Sequence, residues 1–163
     1  MLSVNLSPFT ELSTERLILR RVEKTDAEDL FALRSDVRMM KYLGRPMATS
    51  IDDAVKMIDL YNDALEKNEG ITWAVALKDT GKMIGTIGFW RIDKVNHRAE
   101  IGYMLHADYW GKGLMHEAIV TALHYAFTHL KFHSIEAHAN PENTASLHIL
   151  EKNGFVREAY FKE

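Results

Sequence analysis

Residues 98–118 read "RAEIGYMLHADYWGKGLMHEA". The first eight, "RAEIGYML", have the composition and alternation of a strand. From residue 114 the period changes: Met115, Ala118, Ile119, Ala122, Leu123, Ala126 and Phe127 return at the spacing of one helical face. Between strand and helix stand two glycines, Gly111 and Gly113. A helix start presents unpaired N–H groups and a partial positive charge, so a bare turn leading into it can wrap a phosphate with main-chain donors. Both glycines permit close approach and positive φ. A tight strand-to-helix turn needs glycine for the same reason, and "GKG" alone leaves both uses open.

Two familiar phosphate loops can be tested on these residues. The nucleoside-triphosphate loop G-x-x-x-x-G-K-[ST] fails, because Gly113 follows Lys112 and His106 stands where the first glycine should be. The dinucleotide fingerprint G-x-G-x-x-G matches Gly111 and Gly113 but meets His116 at its third glycine, with Glu136 at a tolerable distance. A dinucleotide-binding oxidoreductase therefore stays as one alternative.

Outward from this stretch the elements alternate in type. Upstream, "RLILRRV" (16–22) reads as a strand, and "TDAEDLFALRS" as a helix opened by Thr25 and Glu28 in capping-box spacing. Ser50 caps a second helix with Ile51, Ala54, Val55, Ile58, Tyr61 and Leu65 on one face and Gly70 past its end. "ITWAVAL" (from 71) and "MIGTIGFW" (from 83), joined by the turn "KDTGK", are strands that short connections make antiparallel to each other and to "RAEIGYML". Downstream come a strand "SIEAHA", a helix "NTASLHILEKNG" from an Asn143 cap to a Gly154 stop, and a strand "FVREAYF". The organisation is α+β, without internal repeat or linker, and residues 1–163 read as a single domain.

Composition narrows the chemistry. The chain has 163 residues, 47% of them hydrophobic, which suits one sizeable core. With 20 basic against 23 acidic residues, a net charge of -3 and no polybasic block, neither nucleic acid nor an anionic membrane is expected as a partner. The absence of cysteine excludes disulfides, thiolate zinc sites and a covalent thiol intermediate. No apolar run approaches the ~18 residues of a membrane helix, and a soluble, cytoplasmic protein is expected. Histidines 129, 133 and 138 are loosely spaced, and H-E-x-x-H fails at Val120, so no metal is expected. No serine stands in G-x-S-x-G.

Several ordered motifs together resemble the GNAT N-acetyltransferases. "YWGKGLMHEA" is similar to their R/Q-x-x-G-x-G/A loop, and "NTASLHILEKNGF" to their later helix with N-x-x-S and E-K-x-G-F. With "TERLILRRVEKTDAEDLFAL" and "AEIGYML" in place, the likeness runs from about Thr14 to the end, nearest to the RimJ/RimL-like branch that acetylates ribosomal-protein amino termini. The resemblance implies a mixed, mostly antiparallel sheet, splayed at the cofactor site and flanked by helices on both faces. It also implies acetyl-CoA as acyl donor, lying between "RAEIGYML" and "SIEAHA", with pantetheine on backbone near Met104 and Leu105. The pyrophosphate would rest on amides of Gly111, Lys112, Gly113, Leu114 and Met115, with the Lys112 side chain either adding charge or staying solvated. Asp108 departs from the R/Q position, and its side chain is expected to point away.

Direct transfer to an amine needs a base, a polarised carbonyl and a proton for the departing thiolate. By position in the motif, Ser146 would protonate or hydrogen-bond the sulfur and Asn143 would hold the pantetheine amide. The same residues also fit a first-turn hydroxyl and a helix cap. A tyrosine acid used in some relatives would fall on Leu150. Glu100 and Glu136, on the two strands of the gap, are the candidate bases, each equally at home as a solvated strand residue. Residues 34–50 are expected to line the acceptor side. Residues 1–13 read as an extension, and the further strand that the branch carries after "GF" has no counterpart before "FVREAYFKE" ends, which leaves three readings open: a sequence that stops short of it, an exposed edge, or a strand supplied by another chain, as in a homodimer. The expected activity is acetyl transfer to a primary amine, whether a protein amino terminus or a small molecule. The alternative on the same scaffold is a non-catalytic acyl-CoA-binding domain.

Overall fold

Strand pairing begins earlier than the sequence periodicity suggests. In the computed structural model, which describes residues 4–159, Leu12–Ser13 (β1) pairs antiparallel with Leu17–Arg21 (β2). Residues 4–13 are tied into the fold: Val4 and Leu6 are buried in the main core, and the Asn68 side chain accepts from the Leu6 N–H and donates to the Val4 carbonyl. After β2 a 3-10 turn, Lys24–Asp26, leads into helix α1, Ala27–Arg34. The helix start is organised by Asp26 rather than by the expected Thr25 and Glu28. The buried Asp26 carboxylate takes both arms of Arg20 at 2.8 Å and the Glu23 N–H at 2.8 Å, because a desolvated carboxylate must be paired.

A four-residue helix, Val37–Met40 (α2), capped by Asp36, follows without a sequence signal. Helix α3, Ile51–Glu66, starts where expected, with the Ser50 hydroxyl accepting from the Asp53 N–H. Ala54, Ile58 and Leu65 are its buried residues, whereas Ile51 is exposed at the open first turn. Its stop is Asn68, at φ 59, rather than Gly70. Gly70 serves packing instead, since a Cβ there would lie 3.2 Å from the Phe89 carbonyl oxygen.

Strands β3 (Ile71–Leu77), β4 (Met83–Asp93) and β5 (Arg98–Leu105) are antiparallel neighbours, as their short connections require. Helix α4, Leu114–Thr128, then crosses over to β6, Ser134–Glu136, which runs parallel to β5. Helix α5, Thr144–Lys152, follows. The sheet order is β1-β2-β3-β4-β5-β6, mixed and mostly antiparallel. Alternation divides the strand side chains between two cores. Leu17, Trp73, Val75, Ile87 and Phe89 pack with Ala118, Ile119 and Tyr125 of α4, while Ala74, Met83 and Met104 pack with Leu30, Leu33, Ala54 and Ile58 of α1 and α3. The helices thus lie on both faces, giving the α+β arrangement expected.

Two strands fall short of expectation. "SIEAHA" pairs only through Glu136, where β6 ends although β5 continues to Leu105. In "FVREAYF", residues 155–159 form no strand, and Tyr160 and Phe161 lie outside the described residues.

Candidate functional site

The parallel ladder between β5 and β6 contains three registered pairs: Arg98 with Ser134, Ala99 with Ile135, and Glu100 with Glu136. Beyond Glu100, the stretch Ile101–Leu105 stays bonded to β4 on one side and has no registered β6 partner on the other. A strand carries backbone donors and acceptors along both edges, so this edge is open to pairing with something else. The gap therefore starts at the two glutamates and widens towards the glycine loop. Helix α5 closes over it: the Tyr103 hydroxyl meets the Ser146 hydroxyl at 2.6 Å, and Asn143 Oδ1 accepts from the Ser146 N–H at 3.1 Å. Burial pushes the Tyr103 phenol up despite its bond to Ser146. Asn143 is thus a true helix cap, and Ser146 is also tied to the strand across the gap.

At the wide end, Gly111 and Gly113 adopt φ 74 and φ 76, the left-handed conformation that favours glycine. Gly113 is the N-cap residue of α4, and having no side chain it leaves the first-turn N–H groups uncovered. The loop is held from behind by Arg16 of the β1–β2 connection. Its Nη1 donates to the Lys112 carbonyl at 2.9 Å, and its Nε pairs with Glu117 Oε1 at 3.0 Å. Because a trans peptide sets C=O and N–H on opposite sides, anchoring the Lys112 carbonyl to Arg16 turns the Gly113 N–H away from Arg16. Glu117 Oε2 in turn accepts from the Arg16 N–H at 3.1 Å and from the Thr14 hydroxyl. Burial alone would raise the Glu117 carboxyl, but these bonds outweigh it and hold it below the usual carboxylate range.

The other loop side chains are accounted for. Lys112 Nζ lies 5.4 Å from the Tyr109 ring centroid, a cation–π contact. The Asp108 side chain is 72% exposed. Trp110 Nε1 donates to the Leu105 carbonyl at 2.8 Å, so that acceptor is partly engaged within the protein. Met104 faces the α1 and α3 side, and Leu114 and Met115 are buried in the first turn of α4, leaving their backbone as the available part.

Glu100 and Glu136 are registered neighbours on one face of the sheet, yet their surroundings differ. The Glu136 side chain is 48% exposed, near His138. The Glu100 side chain is 15% exposed, and among the described residues its Oε2 is buried with no hydrogen-bond partner. Arg91 Nη1 stands 3.3 Å from that oxygen, a charge contact without hydrogen-bond alignment. Directly opposite Glu100 on β4 is Trp90. Its indole lies over Gly102, where a Cβ would meet Nε1 at 2.8 Å, and it stacks with Tyr61 of α3 at a centroid distance of 6.3 Å. These two rings, with Arg45, Asp63, Lys67 and Glu69, line a cleft of about 340 Å³. A second cleft, of about 540 Å³, lies by Arg16, Lys78 and Lys112 at the back of the loop.

The histidines do not converge. His133 pairs with His97, His129 stacks on Tyr125, and no group of three or more His, Asp or Glu among the described residues could hold a metal. Among those residues, no helix is long and apolar enough to cross a membrane. The sequence reading missed Thr14, Arg16 and Tyr103. An acid in the first turn of α4 was the available signal for Arg16, since Glu117 needs partners once it is partly buried.

Against known proteins, residues 16–156 match the acetyltransferase (GNAT) domain family. The chain is 39% identical to an uncharacterized N-acetyltransferase, p20, of Bacillus licheniformis, covering 93% of this chain and 85% of that protein. It superposes on the spermidine N-acetyltransferase of Vibrio cholerae, solved in complex with CoA and spermine, with TM-score 0.79 at 28% identity, covering 90% and 84% of the two chains. The ribosomal-protein-S5-alanine acetyltransferase of Vibrio fischeri shares the fold, with TM-score 0.79 at 23% identity over 91% of this chain and 84% of that one.

Proposed function

The chain belongs to the GNAT family and is an acetyl-CoA-dependent acetyltransferase, and on that footing we propose that it acetylates a small-molecule primary amine by direct attack in a ternary complex. The observation that carries the reading is the gap beyond Glu100 and Glu136, which opens onto the main-chain donors at the start of α4. In this reading the diphosphate sits on amides of residues 111–115, where the helix dipole and unpaired N–H groups favour it. Pantetheine pairs along the open β5 edge near Met104 and Leu105, and Asn143 turns its side-chain nitrogen to the pantetheine amide. The thioester then lies near the narrow end, by Glu100.

The chemistry follows from what surrounds that end. The amine must lose a proton to attack, and Glu100 has a buried oxygen in want of a donor. Glu136, solvated on the same face, acts through water if at all. The nitrogen lone pair bonds the carbonyl carbon, an edge N–H of β5 polarises the oxygen, and the C–S bond breaks. Ser146 gives the thiolate its proton, with the protonated Tyr103 phenol bonded behind it to resupply one. The cleft of about 340 Å³ beside Trp90 is of the size that holds a small molecule, which favours that acceptor class over a peptide terminus. The outer edge of β6 has no partner strand among the described residues, which supports pairing with a second copy, and sedimentation checks that. Dependence on acetyl-CoA supports a cytoplasmic location.

The test is thiol release from acetyl-CoA with a panel of small amines and peptide amino termini, on the native chain and on Ser146→Ala and Glu100→Gln. Turnover with small amines, lost in both variants while CoA still binds, supports the reading. Turnover with peptides alone, or undiminished turnover in the variants, refutes it.

A further inference from the structure

We propose that Arg91 is a positioning residue for the transfer, a guanidinium that a bulge in β4 delivers to Glu100 so that the carboxylate is aimed without being occupied. This rests on the reading of Glu100 as the base and names what orients it. The starting observation is a break in the ladder between β4 and β5. Trp90 stands opposite Glu100 and Asp93 opposite Arg98, so β4 takes three steps where β5 takes two. The extra residue makes a β-bulge, and within it Arg91 has φ 49. That is the left-handed region, which glycine adopts freely and a residue with a Cβ adopts under strain. Glycine would build the same bulge at no steric cost, yet the chain carries arginine. Strain kept at such a position points to a use for the side chain.

The bulge redirects two side chains. Phe89 belongs to the core under α4 and Trp90 faces α3, so regular alternation would send Arg91 to the α4 side and Ile92 to the α3 side. Instead Ile92 packs against the α4-side core, and Arg91 Nη1 comes to 3.3 Å from Oε2 of Glu100, the residue directly opposite Trp90. One extra residue thus puts a guanidinium on the face that carries Glu100. A counter-charge is needed there. The Glu100 side chain is 15% exposed, and its registered neighbour on β6 is a second carboxylate, Glu136, an unfavourable pairing of like charges. Arg91 supplies the charge without taking the acceptor. The two groups are within ion-pair distance, but Oε2 receives no hydrogen bond. Coulomb attraction therefore holds the oxygen in place while its lone pairs stay open to an N–H of the incoming amine. A fork such as Arg20 makes on Asp26, with both arms at 2.8 Å, would fix the carboxylate more tightly and occupy the lone pairs that the reaction needs.

Kinetics on the full chain test this, by thiol release from acetyl-CoA with butylamine, phenethylamine and spermidine as acceptors. The native chain is compared with Arg91→Gly, Arg91→Lys, Glu100→Gln and the double variant Arg91→Gly, Glu100→Gln. The Arg91 side chain is 72% exposed and glycine suits its φ, so Arg91→Gly is expected to have a Tm at or above the native one. Its kcat is expected to fall about tenfold, the cost of a base that is present but loosely aimed, with KM for acetyl-CoA unchanged. Arg91→Lys, which keeps the charge, is expected to recover part of that loss. In the Glu100→Gln background, Arg91→Gly is expected to cost nothing further, because a residue that acts through a carboxylate then has nothing to aim. Native kcat in Arg91→Gly, with or without a lowered Tm, would make the contact a plain surface ion pair and overturns this proposal. So does a lysine variant no better than the glycine one, or an equal loss with and without Glu100; each leaves the acetyltransferase reading intact. Undiminished turnover in Glu100→Gln, or bound acetyl-CoA with turnover of none of the three amines, overturns this proposal together with the reading of the site on which it rests.

Discussion

Replacing Arg16 by methionine keeps most of an apolar stem and removes the charged fork that holds the glycine loop from behind. Two interactions disappear: the pair with Glu117 Oε1 at 3.0 Å and the bond to the Lys112 carbonyl at 2.9 Å. The Arg16 side chain is 45% exposed and that of Glu117 19%, so solvent screening keeps the ion pair below about 1 kcal/mol. The bond to the carbonyl adds about 1 kcal/mol. Glu117 retains the Thr14 hydroxyl and the Arg16 N–H, so no bare carboxylate is left to add a further penalty. A loss of about 1–2 kcal/mol in a chain of this length lowers Tm by roughly 3–6 °C. Releasing the Lys112 carbonyl also frees the Gly113 peptide to turn, and if about 1 kcal/mol of orientation is lost from the complex, the Kd for CoA rises about fivefold. Thermal melts and calorimetric titration with CoA measure the two effects separately. A lowered Tm with an unchanged Kd would mean that Arg16 supports the fold and has no part in presenting the loop to phosphate.

Other outcomes follow from the same geometry. Ser146→Ala is expected to lower kcat by about 100-fold with little change in CoA affinity, and Tyr103→Phe by about tenfold. Combining the two should fall short of the summed effects, because the hydroxyls touch and act as one unit. Glu100→Gln should lower kcat by about 100-fold. Gly102→Ala forces the Trp90 indole aside, at a cost of about 1–3 kcal/mol, and should raise the acceptor KM more than the Kd for CoA. Glu117 is held below its unfolded value, so its contribution is present above about pH 4.3 and is lost as pH falls through the folded value. Melts from pH 7 to 3 should therefore show the native chain losing its advantage over Glu117→Gln only at the acid end.

The middle of the sheet was legible in the sequence because it is built from local rules. Strands β3 and β4 are apolar runs buried on both faces, β3 to β5 are joined by short turns, α4 repeats its apolar stripe, and Ser50 and Asn143 cap the helices they precede. What was missed depends on partners remote in sequence. A two-residue strand such as β1 has no period to read, and the burial of Val4 and Leu6 is decided by the chain that packs over them. Asp26 displaced the expected capping pair because Arg20, on the preceding strand, claims its carboxylate. "SIEAHA" alternates throughout, but alternation reports a face and not a neighbour, so the sequence could not show that pairing ends at Glu136.

The site was legible to the same depth. Gly111 and Gly113 announced a bare helix entrance, and both have the positive φ that entrance requires. Glu100 and Glu136 looked alike on paper, because what separates them is burial beside Trp90 and Arg91 on another strand. Tyr103 reads as an ordinary strand aromatic until α5 brings Ser146 to its hydroxyl.

A crystal structure of the chain with CoA measures the central claim most directly, because it locates both ends of the cofactor at once. The expected result is a diphosphate on the main-chain N–H groups of residues 111–115 and pantetheine paired along the β5 edge from Ile101 to Leu105, its sulfur within reach of Ser146. A diphosphate held in the cleft by Arg16 and Lys78, with no cofactor between β5 and β6, would contradict it.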